Sequence, residues 1–506
     1  MSSDGSRELV EPQVKSAFAS VLMERLREAL VTPVKALRWQ YLPLLMVYFS
    51  YGALGVIGVA ESFWVKSATS MSPADLAALA VWTTIPWTVK MVFGQLVDSV
   101  PLLGSRRRAY VFVGAGLIAA GLVTLAGAAG KWITVAGPEA LYVFASLLIV
   151  IGVVLQDVVA DAMSTEVVAR VEADGTPRPK DEVRRDLGMV QVLGRLALSF
   201  GIFATAGVAG WLAKAYSYET VFWLGLAIPA ISVTGAMLVR LESTEKKPID
   251  WRILGGGLVF GLVVAGLGLG QVPYGQEIVF IISMAVIIAM LIRVTDAVSA
   301  EVRHKILFAS IVIFAFRATP GTGEGYRWFT IDVLGFDEAF YGTLAQVGAG
   351  LSMLGIWLLS DTITRRPIAQ TLFWLTLIGA VLSLPNVVLV YELHHWTERV
   401  LGFGARTIAM IDTTVESPFA QLSMIPMLTL IAIHAPEGRR ATWFALMASL
   451  MNLALVAGSL QTKYLNQIFD VQRGQYDDLA GLIWIVLVLG LLIPLSALAL
   501  FGRKVT

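Results

Sequence analysis

Charged side chains set inside long apolar stretches are the residues of this sequence best placed to do chemistry. Lys90 stands in TTIPWTVKMVFGQL, Asp157 and Asp161 in VVLQDVVADAM, and Arg195 in VLGRLALSF. An ionised group at the centre of a bilayer costs roughly 2.5–3.5 kcal/mol on insertion scales, so each is either paired or functional. Asp157 and Asp161 are spaced i, i+4 and share one helix face. The helical rise places all four groups in the same half of the membrane. Two cations and two carboxylates can neutralise one another there. Two readings stand: a structural ion-pair network, or an anion-binding cation poised against a carboxylate that takes up a proton.

A second set lies in the other half of the chain. Arg317, Glu324 and Arg327 fall in FRATPGTGEGYRW, with Glu324 and Arg327 at i, i+3. Pro320, Gly321, Gly323 and Gly325 weaken the helix around them, as in the broken helices that form transporter sites. Asp412 and Glu416 repeat the i, i+4 pair, with Arg406 as the expected neutralising partner of Asp412. Asn452 holds the place that Arg195 has earlier, and Glu61 and Trp64 form an i, i+3 pair near a helix end. Trp64 and Trp87 could stack on a flat heterocycle, although aromatic belts and packing account for most such residues.

Other chemistries are not supported. There is no cysteine, and hence no disulfide or thiol catalysis. No GxxxxGK[ST] loop is present to bind a nucleotide. His394 and His395 have no convergent carboxylates, so no metal site is expected. With no nucleophile–base pattern, no cofactor motif and a net charge of +1 without a basic patch, neither an enzyme nor a nucleic-acid binder is indicated.

The elements that must hold these residues are transmembrane helices. Of 506 residues, 57% are hydrophobic and only 15% charged, against roughly 25% charged in soluble proteins; mean hydropathy is +0.73. A span needs about 20 apolar residues. Spans are expected near 42–65, 75–98, 109–129, 140–168, 187–212 and 219–240, then 252–271 and 277–294, then 304–331, 338–360, 367–391, 403–433, 440–463 and 479–502. That is about 14, in groups of six, two and six. The division is a cytoplasmic segment over 1–40 carrying an amphipathic helix, a six-helix bundle over 41–240, a linker with two extra helices over 241–303, and a second six-helix bundle over 304–506. Arginine and lysine gather in alternate loops, which puts both termini in the cytoplasm of a bacterial inner membrane. Lys66, Lys214 and Arg473 are isolated cations on the opposite side.

The halves repeat. ESFWVK from Glu61 matches EGYRWF from Glu324, and QDVVADAM from Gln156 matches IDTTVESP from Ile411. Asp98 with Arg106 and Arg107 matches Asp361 with Arg365, and these two hairpins are expected to latch the gate on the cytoplasmic side. Parallel six-helix repeats define the all-α major facilitator fold.

Four stretches carry a closer likeness: IPWTVKMVFGQLVDSVPLLGSRRRAY from Ile85, LQDVVADAMSTEVVAR from Leu155, FRATPGTGEGYRWFTIDVLGF from Phe316 and APEGRRATWFALMASLMN from Ala435. Through them the chain resembles the folate–biopterin transporters of the major facilitator superfamily. The likeness covers nearly all of the chain. It departs from the family where Ala435-Pro436-Glu437-Gly438 replaces a Cys-Pro-Pro-Gly-like turn, and where Glu324 and Arg327 add charge. The resemblance implies a secondary transporter of a folate- or pterin-like organic anion, working by alternating access. Lys90, Arg195, Arg317 and Arg327, with Trp64, Trp87 and Asn452, are the expected substrate contacts. Glu61, Asp157, Asp161, Glu324, Asp412 and Glu416 are the expected proton carriers or ion-pair partners. Lys90→Ala is expected to abolish binding and leave folding intact. Two alternatives stay open: another anionic or zwitterionic metabolite, or a non-transporting sensor or assembly factor. A continuous polar cavity between the bundles separates transport from the last of these.

Overall fold

The computed structural model describes residues 35, 37–102, 104–105, 107–172, 174–238, 249–296, 299–364, 366–420, 422, 424–433 and 440–505. The amphipathic helix expected at the N-terminus lies almost wholly outside them. Arg106 and Arg365 lie outside them too, as does the side chain of Asp361.

Helices account for the architecture, and the described residues form no strand beyond isolated bridges. In hydrocarbon every backbone N–H and C=O must be satisfied within its own segment, which selects helices. In order they are α1 (Leu42–Ala53), α2 (Gly58–Ala68), α3 (Pro73–Thr88), α4 (Lys90–Ser99), α5 (Arg108–Ala129), α6 (Pro138–Glu166), α7 (Lys180–Ala215), α8 (Tyr218–Gly225) and α9 (Ala227–Leu238). Then come α10 (Trp251–Leu269) and α11 (Gly275–Thr295). The remainder are α12 (Ala300–Arg317), α13 (Glu324–Asp332), α14 (Glu338–Thr364), α15 (Ile368–Leu382), α16 (Leu384–Val390), α17 (His394–Leu401), α18 (Ala405–Ala420), α19 (Met424–Ile433), α20 (Arg440–Ile468) and α21 (Leu479–Val505).

Local chemistry sets the starts. Ser72 and Asp75 form a reciprocal capping box with Pro73 in the first turn, so α3 begins where the backbone donors are met. Ser217, Asp250 and Ser299 cap α8, α10 and α12 in the same way.

Among the described residues, ten helical segments are long and apolar enough to cross a membrane, or eleven if the bent α3–α4 pair is one span. The expected count of about 14 is not reached by that measure. Two of the segments that fall short, 304–331 and 403–433, are not single helices. The first stops at Arg317 and resumes at Glu324, and the second stops at Ala420 and resumes at Met424.

The 75–98 segment is also not one straight helix. Pro86 removes an internal hydrogen bond, α3 ends at Thr88, and α4 restarts at Lys90 with a bend of 40°. The Asn452 side-chain amide donates to the carbonyl of Trp87 at 3.1 Å, meeting an acceptor the break leaves free.

The two halves meet along α3 against α20 and α7 against α14. The α7–α14 seam is closest at Gly210 and Gly342. A Cβ on Gly210 would meet the Glu338 carbonyl oxygen at 2.3 Å and the Gly342 Cα at 2.6 Å. Gly210→Val is therefore expected to wedge the seam and destabilise the protein by about 1–3 kcal/mol. Unchanged thermal stability in detergent would show that the seam is looser than its geometry.

The helices between the halves differ from each other. No residue of α10 is buried. By contrast α11 buries Gly275, Val279, Ser283, Ile287 and Leu291, every fourth residue, a stripe along one helix face. Its apolar members join α12, α20 and Val81 and Ile85 of α3 in one core. At one end Lys463 of α20 pairs with Glu277 of α11 at 2.9 Å. The sequence placed both helices outside the bundles; of the two, α11 lays a buried face against α12, α20 and α3.

Candidate functional site

The charged groups read from the sequence assemble into three clusters. The first is the network around Lys90. The bend after Thr88 brings Lys90 out at the first turn of α4, facing α6. Its ammonium pairs with Asp157 and with Asp161, the latter at 2.6 Å. A lysine at a helix N-terminus opposes the helix dipole, so the two carboxylates hold it there. Tyr48 of α1 donates to Asp161 at 2.7 Å. Trp87 stacks on Tyr51 with ring centroids 5.8 Å apart. Arg195 of α7 is exposed and forms no ion pair among the described residues.

The second cluster lines the central cavity, whose volume is about 670 Å³. Both halves build it: Glu61 and Ser62 of α2, Thr83 of α3 and Tyr142 of α6 face Glu324 and Arg327 of α13. Glu61 and Glu324 are equivalent positions of the internal repeat. Tyr142 donates to Glu61 at 3.0 Å. Arg327 lies 3.7 Å from Glu324, donates to Ser62 at 2.5 Å and sits over the Tyr341 ring at 5.2 Å. The break before α13 opens this wall. Gly323 has a φ of +69°, which L side chains rarely adopt. Side chains of α20 serve the broken backbone: Thr462 accepts from the Gly321 N–H at 2.9 Å, and Gln461 donates to the Ala318 carbonyl at 2.5 Å.

The third cluster closes one end between the halves. Lys66 pairs with Asp332 at 2.5 Å and Lys214 with Asp337 at 2.7 Å. Tyr218 donates to Glu338 at 3.0 Å. Arg473 donates to the carbonyls of Val65 and Met71 at 3.1 and 3.0 Å. On the sequence Lys66, Lys214 and Arg473 looked isolated; each meets a partner in the opposite half. The Lys214 ammonium, the Phe340 N–H and nearby Arg406 hold the Asp337 carboxyl below its ordinary range. A depressed carboxylate contributes stability above its unfolded pKa and loses it as pH falls through the folded value. The closed end is thus expected to loosen only below about pH 4. The distance between spin labels placed on the two halves at that end, followed against pH, checks this. A distance that changes between pH 8 and 6 would contradict it.

Several expected placements change. Trp64 is 3% exposed, packed edge-on against Tyr142 and Phe222, so its ring is core rather than a stacking surface. Asn452 spends its amide on Trp87. Arg406 does not neutralise Asp412: it lies 3.7 Å from Asp337 and donates to the Gly335 carbonyl at 2.8 Å. Among the described residues Asp412 has a buried oxygen with no hydrogen-bond partner, and Glu416 pairs with no cation. Arg317 meets no carboxylate among the described residues, and one of its guanidinium nitrogens lies 2.9 Å from the Met424 sulfur.

At the far end, buried Arg107 binds Asp98 at 2.9 Å and, through two nitrogens, Glu166 at 2.9 and 2.5 Å. This ties three elements of one half and does not cross to the other. Glu166, Tyr48, Tyr142, Asp332 and Asp337 went unremarked in the sequence. Their only signal was position near helix ends or beside a charged neighbour in space.

Spanning helices, cross-half seams and a polar cavity between the halves define a membrane transporter of major facilitator architecture. Solved structures share that fold. The peptide transporter POT in complex with sulfate has a TM-score of 0.58 at 16% identity, over 93% of this chain and 95% of that one. The nucleoside transporter NupG has a TM-score of 0.55 at 14% identity, over 91% and 100%. Residues 52–505 match the BT1 family, and the chain belongs to it. A folate-biopterin transporter of Synechocystis sp. is 29% identical over 96% of this chain and 85% of its own length. A probable folate-biopterin transporter 4 of Arabidopsis thaliana is 21% identical over 86% and 89%. Folate transporter 1 of Plasmodium falciparum is 21% identical over 86% and 74%. The protein is an integral membrane transporter.

Proposed function

We propose that the chain is a secondary transporter that carries a folate- or pterin-type solute through the central cavity by alternating access, with proton coupling. One observation carries the transport reading: a polar cavity of about 670 Å³, lined by both halves, beneath a set of cross-half ion pairs at one end. The size lies within the roughly 300–1,000 Å³ of small-molecule sites. The substrate class comes from the named relatives. The halves 41–240 and 304–506 rock about the α3–α20 and α7–α14 seams. The cytoplasm lies at the Arg107 end, in a bacterial inner membrane, as the loop charges favour.

Proton carriage belongs to carboxylates without a fixed cation. Asp157 and Asp161 share Lys90, and Glu324 has Arg327. Glu61, Asp412 and Glu416 have no such partner among the described residues. The test is uptake of radiolabelled folate and pterin into proteoliposomes, with and without an imposed pH gradient. Uptake driven by the gradient is expected. Uptake insensitive to it removes the coupling, and no uptake of either solute removes the substrate class.

A further inference from the structure

The carboxylates at membrane depth do not share counter-ions evenly. Lys90 serves two of them and Arg327 lies beside a third. Glu61 has neither. Its one polar contact among the described residues is the Tyr142 hydroxyl on Oε1, and its second oxygen, with no partner among those residues, belongs to a side chain that lines the cavity. Leu54, Ile57, Leu76 and Ile149 add apolar wall around it.

A carboxylate withdrawn from water stays charged only where N–H donors or a cation meet it. The protein supplies one donor, and Tyr142 also fixes the carboxylate's orientation. What is missing is a set of donors on the cavity side, against a wall suited to a flat ring. Planar N–H groups on a carboxylate form the strong, charge-assisted kind of hydrogen bond.

We propose that Glu61 is the specificity-determining acceptor of the transported ligand. Its carboxylate takes the paired N–H donors of a 2-amino-4-oxopyrimidine edge, and the apolar wall takes the faces of the fused ring. The proposal rests on the pterin-type reading above. It makes donor recognition by a carboxylate, rather than attraction of an anion by cations, the source of selectivity, and it leaves proton carriage during ligand binding to Asp412 and Glu416. Arg327, already beside Glu324 and bonded to Ser62, is not required to hold that edge.

The test compares 2-amino-4-oxopteridine with 2,4-dioxopteridine on the purified full chain in detergent, by calorimetry and thermal shift. The second compound replaces the exocyclic amino donor with a carbonyl oxygen that would face the carboxylate. The wild type is expected to bind the amino compound about tenfold or more tightly than the dioxo compound, since a charged acceptor is left unpaired otherwise. In Glu61→Gln the ratio is expected to fall below about threefold, because an amide can donate as well as accept. Equal binding of the two compounds by the wild type overturns the proposal and leaves the pterin-type reading standing. An undiminished ratio in folded Glu61→Gln also overturns it. Binding of neither compound overturns the reading beneath it as well. If Glu61→Gln does not fold, the wild-type ratio still decides.

Discussion

Lys90→Ala is expected to destabilise the protein by about 2 kcal/mol, not merely to empty its binding site. Lys90 is the shared counter-ion of Asp157 and Asp161, both on α6. Deleting one partner of a fully buried pair costs about 3–5 kcal/mol, because the other charge is left uncompensated. Here the side chains of Lys90 and Asp161 are 28% and 50% exposed, which lowers the figure, while Asp157 at 11% keeps it substantial. The sequence-based expectation that folding would survive untouched follows the ligand reading of Lys90 and not the ion-pair network read beside it. The double variant Lys90→Ala/Asp157→Asn removes the orphaned charge and should recover most of the lost stability. Melting curves of the two variants in detergent check this. Equal stability of wild type and Lys90→Ala would remove the network as a structural element.

Asp332→Asn combined with Asp337→Asn is expected to open the closed end. Each substitution removes the charge of a cross-half pair, Lys66–Asp332 at 2.5 Å and Lys214–Asp337 at 2.7 Å. Partly exposed pairs contribute roughly 0.5–1 kcal/mol each, so losing two shifts the equilibrium between conformations about tenfold. The absence of cysteine makes the measurement direct. Thr83→Cys places one thiol on the cavity wall. Its labelling by a membrane-impermeant maleimide from the Lys66 side should be slow in the otherwise natural chain and about tenfold faster in the double variant. An unchanged rate would mean that the Gly210–Gly342 seam, not the ion pairs, keeps that end shut.

The legible part of the site was its inventory. Lys90, Asp157, Asp161, Glu61, Glu324 and Arg327 could be picked out because a charge in a long apolar run stands against its background. The pairings were legible where partners lie one helical turn apart, as for Glu324 and Arg327, across one short hairpin, as for Asp98 and Arg107, or at matched membrane depth, as for Lys90 with Asp157 and Asp161. Lys66 and Asp332 are 266 residues apart, Lys214 and Asp337 123. Nothing local marks such partners. The same limit misplaced Trp64, whose spacing is equally consistent with a cavity and with the core where it packs. Broken helices were partly legible. The glycines before Glu324 announced one break, whereas Pro86 passed unnoticed inside 75–98.

The sequence by itself determined the solvent, the repeat and the family. Burial in hydrocarbon forces each segment to satisfy its own backbone, so length and hydropathy are enough to mark most spans. Repeated acidic and basic pairs then mark the two halves. Only the tertiary structure decided which charge keeps a counter-ion. That depends on how each helix is rotated and bent, and one residue turns a helix by about 100°. A 40° bend after Thr88 gives Lys90 to Asp157 and Asp161. The break before Glu324 gives Arg327 to Glu324 and Ser62. Glu61 is left with Tyr142 and an open cavity.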